Sequence, residues 1–291
     1  MALGAAVMTA LIDGKRAARA IREQVTLEVA HSARVHRRVP GLATVLVGDD
    51  PASAVYVAAK RRAIREAGMR DVHRALPEHA GPAEVAAVID ELADDPEVSG
   101  ILLQLPLPKG LDAAALIDRI PVGKDVDGLT TTSAGLLARG ADGLRPCTPA
   151  GVLRLLDISQ VELRGAHAVV VGHSELVGRP MARMLLQRDA TVTVAHKHTA
   201  DLPAVTRPAD ILVVATGVCG LIGAEHVKPG AVVVDVGIHR TPNGLRGDVR
   251  TRELRGIAGL LTPVPGGVGP MTIAMLLANT VLAFEQEQLC R

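Results

Sequence analysis

Aromatic side chains are almost missing from this 291-residue chain, which has one Tyr, one Phe and no Trp. Without them there are no stacking platforms for single-stranded nucleic acid. Charge of one sign is also lacking: the net charge of +1 leaves no bulk field to draw in a nucleic acid or an anionic membrane. Only three cysteines occur, Cys147, Cys219 and Cys290. They lie too far apart for metal-ligand or redox spacing, so reduced thiols and no metal site are expected. The first ten residues carry no basic leading segment, and Asp13 and Lys15 soon interrupt them. No secretory signal is expected there, and Met8 is an alternative start. No apolar run is expected to span a bilayer. The reading is a cytoplasmic protein with neither a nucleic-acid nor a membrane partner. What the chain does have is aliphatic material, with 48% hydrophobic residues, enough to pack two modest domains. The single phenol, Tyr56, therefore stands out.

Short β-branched runs alternate with helical periods, which indicates α/β architecture with mostly parallel strands. Ala17, Ile21, Val25 and Val29 recur at helical spacing. Leu42–Val47 reads as a buried strand, and Asp50-Pro51 opens a helix with proline where its missing N–H costs nothing. Gln104-Leu105-Pro106-Leu107-Pro108 ends the strand that begins at Gly100, because prolines remove ladder donors. Pro146-Cys147-Thr148-Pro149 reads as a boundary. A second α/β unit starts at His167, with strands at Ala168–Val171, Thr191–Ala195, Ile211–Ala215, Ala231–Val236 and Ala258–Leu261. A final helix covers Met271 to about Glu287.

Gly172-His173-Ser174-Glu175-Leu176-Val177-Gly178 lies between a buried strand and a helix. Glycines there let the backbone approach a pyrophosphate at a helix N-terminus, the arrangement of a Rossmann-type dinucleotide-binding domain. Ser174 replaces the usual middle glycine, and a ligand-free strand–turn–helix corner fits the same residues. The next strand ends Ala195-His196-Lys197-His198-Thr199, without the carboxylate that holds the ribose hydroxyls of NAD. Lys197 there favours a 2′-phosphate, hence NADP over NAD; a solvated basic loop is the plainer alternative.

Tyr56 and Lys60 share one face of a helix, one turn apart. An ammonium beside a phenol in a part-buried site suits proton transfer near neutral pH, although an ordinary amphipathic surface has the same spacing. Gln104 ends a strand, where α/β proteins bind ligands, and Asp127 lies in the loop Lys124-Asp125-Val126-Asp127-Gly128. On spacing alone Asp127 reads equally as a turn or capping residue. Pro263–Thr272, rich in Gly and Pro, offers a preset backbone surface for a flat ligand, or only a tight connection into the last helix.

At these residues the chain resembles the bifunctional methylenetetrahydrofolate dehydrogenase/methenyltetrahydrofolate cyclohydrolase family, from about Leu11 to Phe284. The blocks are Gly48–Ser53 with Tyr56 and Lys60, Gln104–Pro108, Lys124–Gly128, Pro146–Pro149, Gly172–Pro180, Asp235-Val236-Gly237-Ile238, Gly247-Asp248-Val249 and Thr262–Thr272. The resemblance implies two α/β domains around an interdomain cleft: residues 1–148 plus 272–291 for folate and catalysis, and 149–271 for the dinucleotide. It implies oxidation of methylenetetrahydrofolate with NADP, then hydrolysis to 10-formyltetrahydrofolate, in a homodimer with no synthetase domain after Arg291. Lys60 would move protons, Gln104 orient it, Asp127 anchor the pterin and Tyr56 stack on it. Leu103, Leu105, Pro265, Gly266 and Gly267 would complete the folate site. Gly172, His173, Ser174, Val177, Gly178, Lys197 and Ile238 would line the dinucleotide site. The chain departs from the family pattern at His173 (commonly Arg), Lys197 (often Ser), His198 (Arg or Lys), Ser133 (Asn) and His239 (Asn or Tyr). His173 would still donate to a phosphate, more strongly when protonated. A dehydrogenase without hydrolysis and a silent ligand-binding paralogue are the alternatives; the intact Tyr56, Lys60, Gln104 and Asp127 argue against both.

Overall fold

A computed structural model describes residues 8–289; Cys290 lies outside them. In chain order the elements are β1 (Ala10–Leu11), α1 (Gly14–His36), β2 (Gly41–Val47), α2 (Pro51–Glu66), β3 (Arg70–Leu76), α3 (Pro82–Asp94), β4 (Gly100–Leu103), α4 (Ala113–Ile117) and α5 (Thr131–Arg139). Then come α6 (Cys147–Ile158), β5 (His167–Val171), α7 (Gly178–Leu186), β6 (Thr191–Ala195), α8 (Leu202–Thr206), β7 (Ile211–Val214), β8 (Val232–Asp235), β9 (His239–Thr241), β10 (Gly244–Arg246), β11 (Leu260–Leu261) and α9 (Val268–Leu289). The chain divides into two compact units, Arg19–Cys147 with Ile273–Arg291, and Met1–Ala18 with Thr148–Thr272.

The first unit holds a parallel sheet in the order β3-β2-β4. Successive side chains of a strand point to opposite faces, and β2 uses both. Leu42 packs with Leu102, Ile64, Val25 and Val29 on one side. Ala43, Val45 and Val47 pack with Ile101, Leu103, Ile89 and Leu92 on the other. Cover on both faces explains why β2 and β4 read as continuous apolar runs rather than alternating ones. The carboxylate of Asp50 caps α2, accepting from Ser53 N at 2.7 Å, with Pro51 in the first turn.

α9 closes this core. It has 22 residues and is long and apolar enough to cross a membrane by length and composition, which corrects the expectation that no apolar run reaches that length. One face of it packs into the core. Leu276, Leu277, Val281 and Phe284, the sole phenylalanine, are buried, and Asn279 donates to the carbonyls of Val126 (2.8 Å) and Arg145 (2.9 Å).

The second unit is a six-stranded parallel sheet in the order β1-β11-β8-β7-β5-β6. The winding reverses between β5 and β7, and at such a switch point ligands bind beyond the carboxyl ends of the strands. One boundary differs from the sequence reading, which kept residues 1–148 together. Ala10 and Leu11 pair with Leu260 and Leu261 at the sheet edge, so the described start of the chain belongs to this unit. Two residues are too short a run to show strand periodicity. The antiparallel β9–β10 hairpin was likewise absent from the sequence reading, because its strands bury nothing.

Candidate active site

Lys60 lies on α2, one turn after Tyr56, and its Nζ donates to Gln104 Oε1 at 3.0 Å. Gln104 follows the end of β4, where its backbone N donates to Val45 O of β2. Its side-chain Nε2 donates to Leu105 O at 2.5 Å. A carbonyl can only accept, so this bond fixes which way the amide points and leaves Oε1 for the lysine. The strand end and the following proline-rich turn thus hold an acceptor against one ammonium.

Asp127 is the third member. Lys60 and Asp127 are only part-buried as whole residues, but their charged ends lie deep. Burial pushes the Lys60 ammonium below the usual lysine range, and the negative charge of Asp127 opposes that shift. Burial pushes the Asp127 carboxyl up, opposed by Lys60 and by the neighbouring Cys147 thiol. The Cys147 thiol is itself held well above the ordinary thiol range, first by burial and then by Asp127. Each shift moves its group toward the neutral form.

The loop that presents Asp127 is built by residues outside the sequence-derived site. Asp125 is buried and accepts from Leu129 N (3.1 Å), Thr130 N (2.8 Å) and Ser133 Oγ (2.6 Å), tying the loop to the start of α5. Gly128 has φ +68°, and a Cβ there would stand 2.6 Å from Arg145 C and Pro146 N; only glycine fits. Cys147 Sγ donates to Val126 O at 3.2 Å. Of the two carboxylates in Lys124–Gly128, one therefore shapes the loop and the other faces Lys60. Tyr56 is 42% exposed, which leaves its ring accessible. Leu103 is buried in the apolar core and Leu105 packs at its margin, so the Leu103 side chain is taken up by packing.

The remaining folate-site candidates fall in the second unit. Gly266 O accepts from Lys15 N at 3.1 Å, and a Cβ on Gly14 would stand 1.8 Å from Gly267 O. Pro265, Gly266 and Gly267 thus pack against the start of α1, and the Val264–Pro265 bond is cis.

In the same unit the β5–α7 turn is a tight cradle. Gly172 has φ +114°, and a Cβ there would meet Ala215 O at 2.1 Å; one on Gly178 would meet Gly172 O at 2.1 Å. Ser174 Oγ accepts from Val177 N (3.3 Å) and Gly178 N (3.4 Å), closing the turn that leads into α7. These residues fit a pyrophosphate on the helix N-terminus. His173 and His196 lie with ring centroids 5.0 Å apart, and His196 and His198 5.9 Å, so Lys197 sits among three exposed imidazoles. Ile238 is 40% exposed just beyond β8.

Beside Ile238 the Asp-Val-Gly and Gly-Asp-Val motifs interlock. A Cβ on Gly237 would stand 2.1 Å from Asp248 Oδ1, and one on Gly247 1.8 Å from Asp235 Oδ2. Each glycine makes room for the other motif's carboxylate. Asp235 accepts from Gly237 N, Asp248 N and Val249 N, yet burial pushes its carboxyl up to about 6. Asp248 accepts from Thr216 N (2.6 Å), Thr216 Oγ1 (2.8 Å), Gly217 N (3.0 Å) and His239 Nε2 (2.6 Å).

Fold and site together define a two-unit α/β enzyme, with a dinucleotide-binding Rossmann-type unit and a second unit centred on an amine–amide–carboxylate group. Comparison with known proteins makes this specific. Residues 12–127 match the catalytic domain of tetrahydrofolate dehydrogenase/cyclohydrolase, and residues 146–288 match its NAD(P)-binding domain. The chain is 65% identical over 273 residues to bifunctional protein FolD 2 of Frankia casuarinae, covering 94% of this chain and 95% of that one. It is 52% identical to bifunctional protein FolD of a Synechococcus species, over 95% of each. The crystal structure of bifunctional FolD from Campylobacter jejuni superposes with a TM-score of 0.94 at 43% identity, over 96% of this chain and 99% of that one. The Trypanosoma brucei enzyme, solved with NADP cofactor and inhibitor, gives 0.92 at 37% identity, over 96% and 98%. The chain belongs to the bifunctional tetrahydrofolate dehydrogenase/cyclohydrolase family.

Proposed function

We propose that the protein oxidises 5,10-methylenetetrahydrofolate to the methenyl form with NADP and hydrolyses that product to 10-formyltetrahydrofolate. The observation that carries this reading is the hydrogen-bonded Lys60–Gln104 pair with Asp127 beside it. Asp127 binds the pterin amino and ring N–H groups as a hydrogen-bond acceptor, and Tyr56 lies flat against the ring. Leu103, Leu105, Pro265, Gly266 and Gly267 complete the surface around the folate. When bound, the dinucleotide supplies the hydride acceptor for the one-carbon bridge, so positioning carries much of that step. Hydrolysis adds water to the cationic methenyl carbon; as the formyl C=O forms and the bond from that carbon to N5 breaks, the water oxygen loses both its protons, one released to solvent and one delivered to N5. Lys60, its ammonium destabilised by burial, is the group that takes and returns that proton, and Gln104 holds its lone pair or N–H toward the reacting carbon.

Gly172, Ser174, Val177 and Gly178 receive the pyrophosphate. Lys197 and His173 read the 2′-phosphate, and Ile238 lies against the nicotinamide half. The enzyme acts in the cytoplasm as a homodimer of this chain, with no membrane or nucleic-acid partner.

Purified protein mixed with methylenetetrahydrofolate and NADP should form NADPH and 10-formyltetrahydrofolate, with the methenyl chromophore appearing only transiently. Lasting methenyl accumulation would leave a dehydrogenase alone, and no chromophore and no product would leave a silent paralogue. Lys197→Ala should raise the Michaelis constant for NADP by about tenfold, the scale of one charge-assisted hydrogen bond, and leave that for NAD unaltered. An unchanged NADP/NAD preference would remove Lys197 from the phosphate.

A further inference from the structure

We propose that His239 is a positioning residue for the dinucleotide, acting through its hydrogen bond to Asp248. The inference rests on the reading that Ile238 touches the cofactor.

Ile238 joins two differently anchored pieces of chain. On its N-terminal side Gly237 N donates to the buried Asp235 at 3.0 Å, directly after β8. On its C-terminal side begins the β9–β10 hairpin, whose pairing is His239 with Arg246, Arg240 with Leu245 and Thr241 with Gly244. None of those six residues is buried. A two-stranded ribbon without a buried face is marginally stable by itself, so the ladder alone does not fix the exit direction of Ile238.

The one side chain of the hairpin that reaches a buried group is His239. Its Nε2 lies 2.6 Å from Asp248 Oδ1, with the ring three-quarters covered. A carboxylate only accepts, so the imidazole donates. Asp248 is fully buried, and its other oxygen holds Thr216 and Gly217 just beyond β7. The preceding residue, Ala215, is the one whose carbonyl crowds Gly172 in the phosphate turn. One carboxylate therefore links the loops beyond β7 and β8 to the hairpin, and His239 supplies the hairpin's end of the link. The Ile238 side chain is also close to the start of α9, since a Cβ on Gly269 would stand 3.2 Å from its Cδ1. A change in exit direction at residue 239 would move an exposed aliphatic group at the carboxyl edge of the sheet, where ligands bind. It would not touch Lys60, Gln104 or Asp127, all of which belong to the other unit.

Methenyl hydrolysis consumes no dinucleotide and so reports whether each variant is folded. His239→Leu should raise the Michaelis constant for NADP about tenfold, the scale of one charge-assisted hydrogen bond, with kcat and hydrolysis within about twofold of the parent. His239→Gln, which keeps an N–H donor at similar reach, should recover most of the loss. His239→Ala serves the same comparison if the Leu variant is insoluble. Ile238→Ala tests the underlying reading separately. If Ile238→Ala weakens NADP binding and His239→Leu and His239→Ala do not, the positioning role is overturned; equal losses in the Leu and Gln variants overturn it too. If Ile238→Ala leaves NADP binding unaltered, the cofactor contact itself fails.

Discussion

Lys60→Met is expected to lose methenyl hydrolysis by about 10²–10⁴-fold, the range contributed by one positioned acid–base group, while NADP affinity stays within about twofold. Methionine keeps the length and apolar stem of lysine, so the loss reports the amine rather than packing. The parent enzyme should show hydrolysis rising through a pKa below the ordinary lysine value of about 10.4, because burial destabilises the ammonium. The sign follows from the chemistry: above that pKa the amine is neutral and accepts the proton that water must lose. Hydrolysis that survives in Lys60→Met would mean another group activates the water.

Asp127→Ala should weaken folate binding by about 10–100-fold, the cost of losing a charge-assisted hydrogen-bond partner in a buried site. It should also act on Lys60. Asp127 is the foremost charge opposing the downward shift of that amine, so its removal drops the Lys60 pKa further and moves the hydrolysis profile to lower pH. Folate affinity and pH profile both unchanged would remove Asp127 from the pterin pocket. A shifted profile with unchanged affinity would leave it acting on Lys60 alone.

The alternation of strands and helices was legible because the central strands β2, β4, β5, β7 and β8 are buried and read as compact apolar runs. Lys60, Gln104 and Asp127 were legible only jointly, through spacing and family blocks. Nothing in Lys124–Gly128 distinguishes the carboxylate that ties the loop to α5 from the one that faces the amine, since the difference lies in which N–H groups the folded loop presents. Cys147 read as a boundary residue and a reduced thiol; its contact with Asp127 spans a turn no local pattern encodes. Asn279 was not singled out in the sequence; a polar residue inside an apolar helix was the available signal that it bonds inward. β1 and the β9–β10 hairpin were invisible for opposite reasons, one too short for any period and the other too exposed for an apolar pattern.

The account turns on an amine whose charge is destabilised by burial yet held by Gln104. An NMR titration of the unliganded enzyme with ¹⁵N-labelled lysine side chains tests this directly. The account predicts a lysine signal that titrates below the ordinary range and disappears in Lys60→Met. A Lys60 signal titrating in the ordinary lysine range, together with the surface lysines, would contradict it.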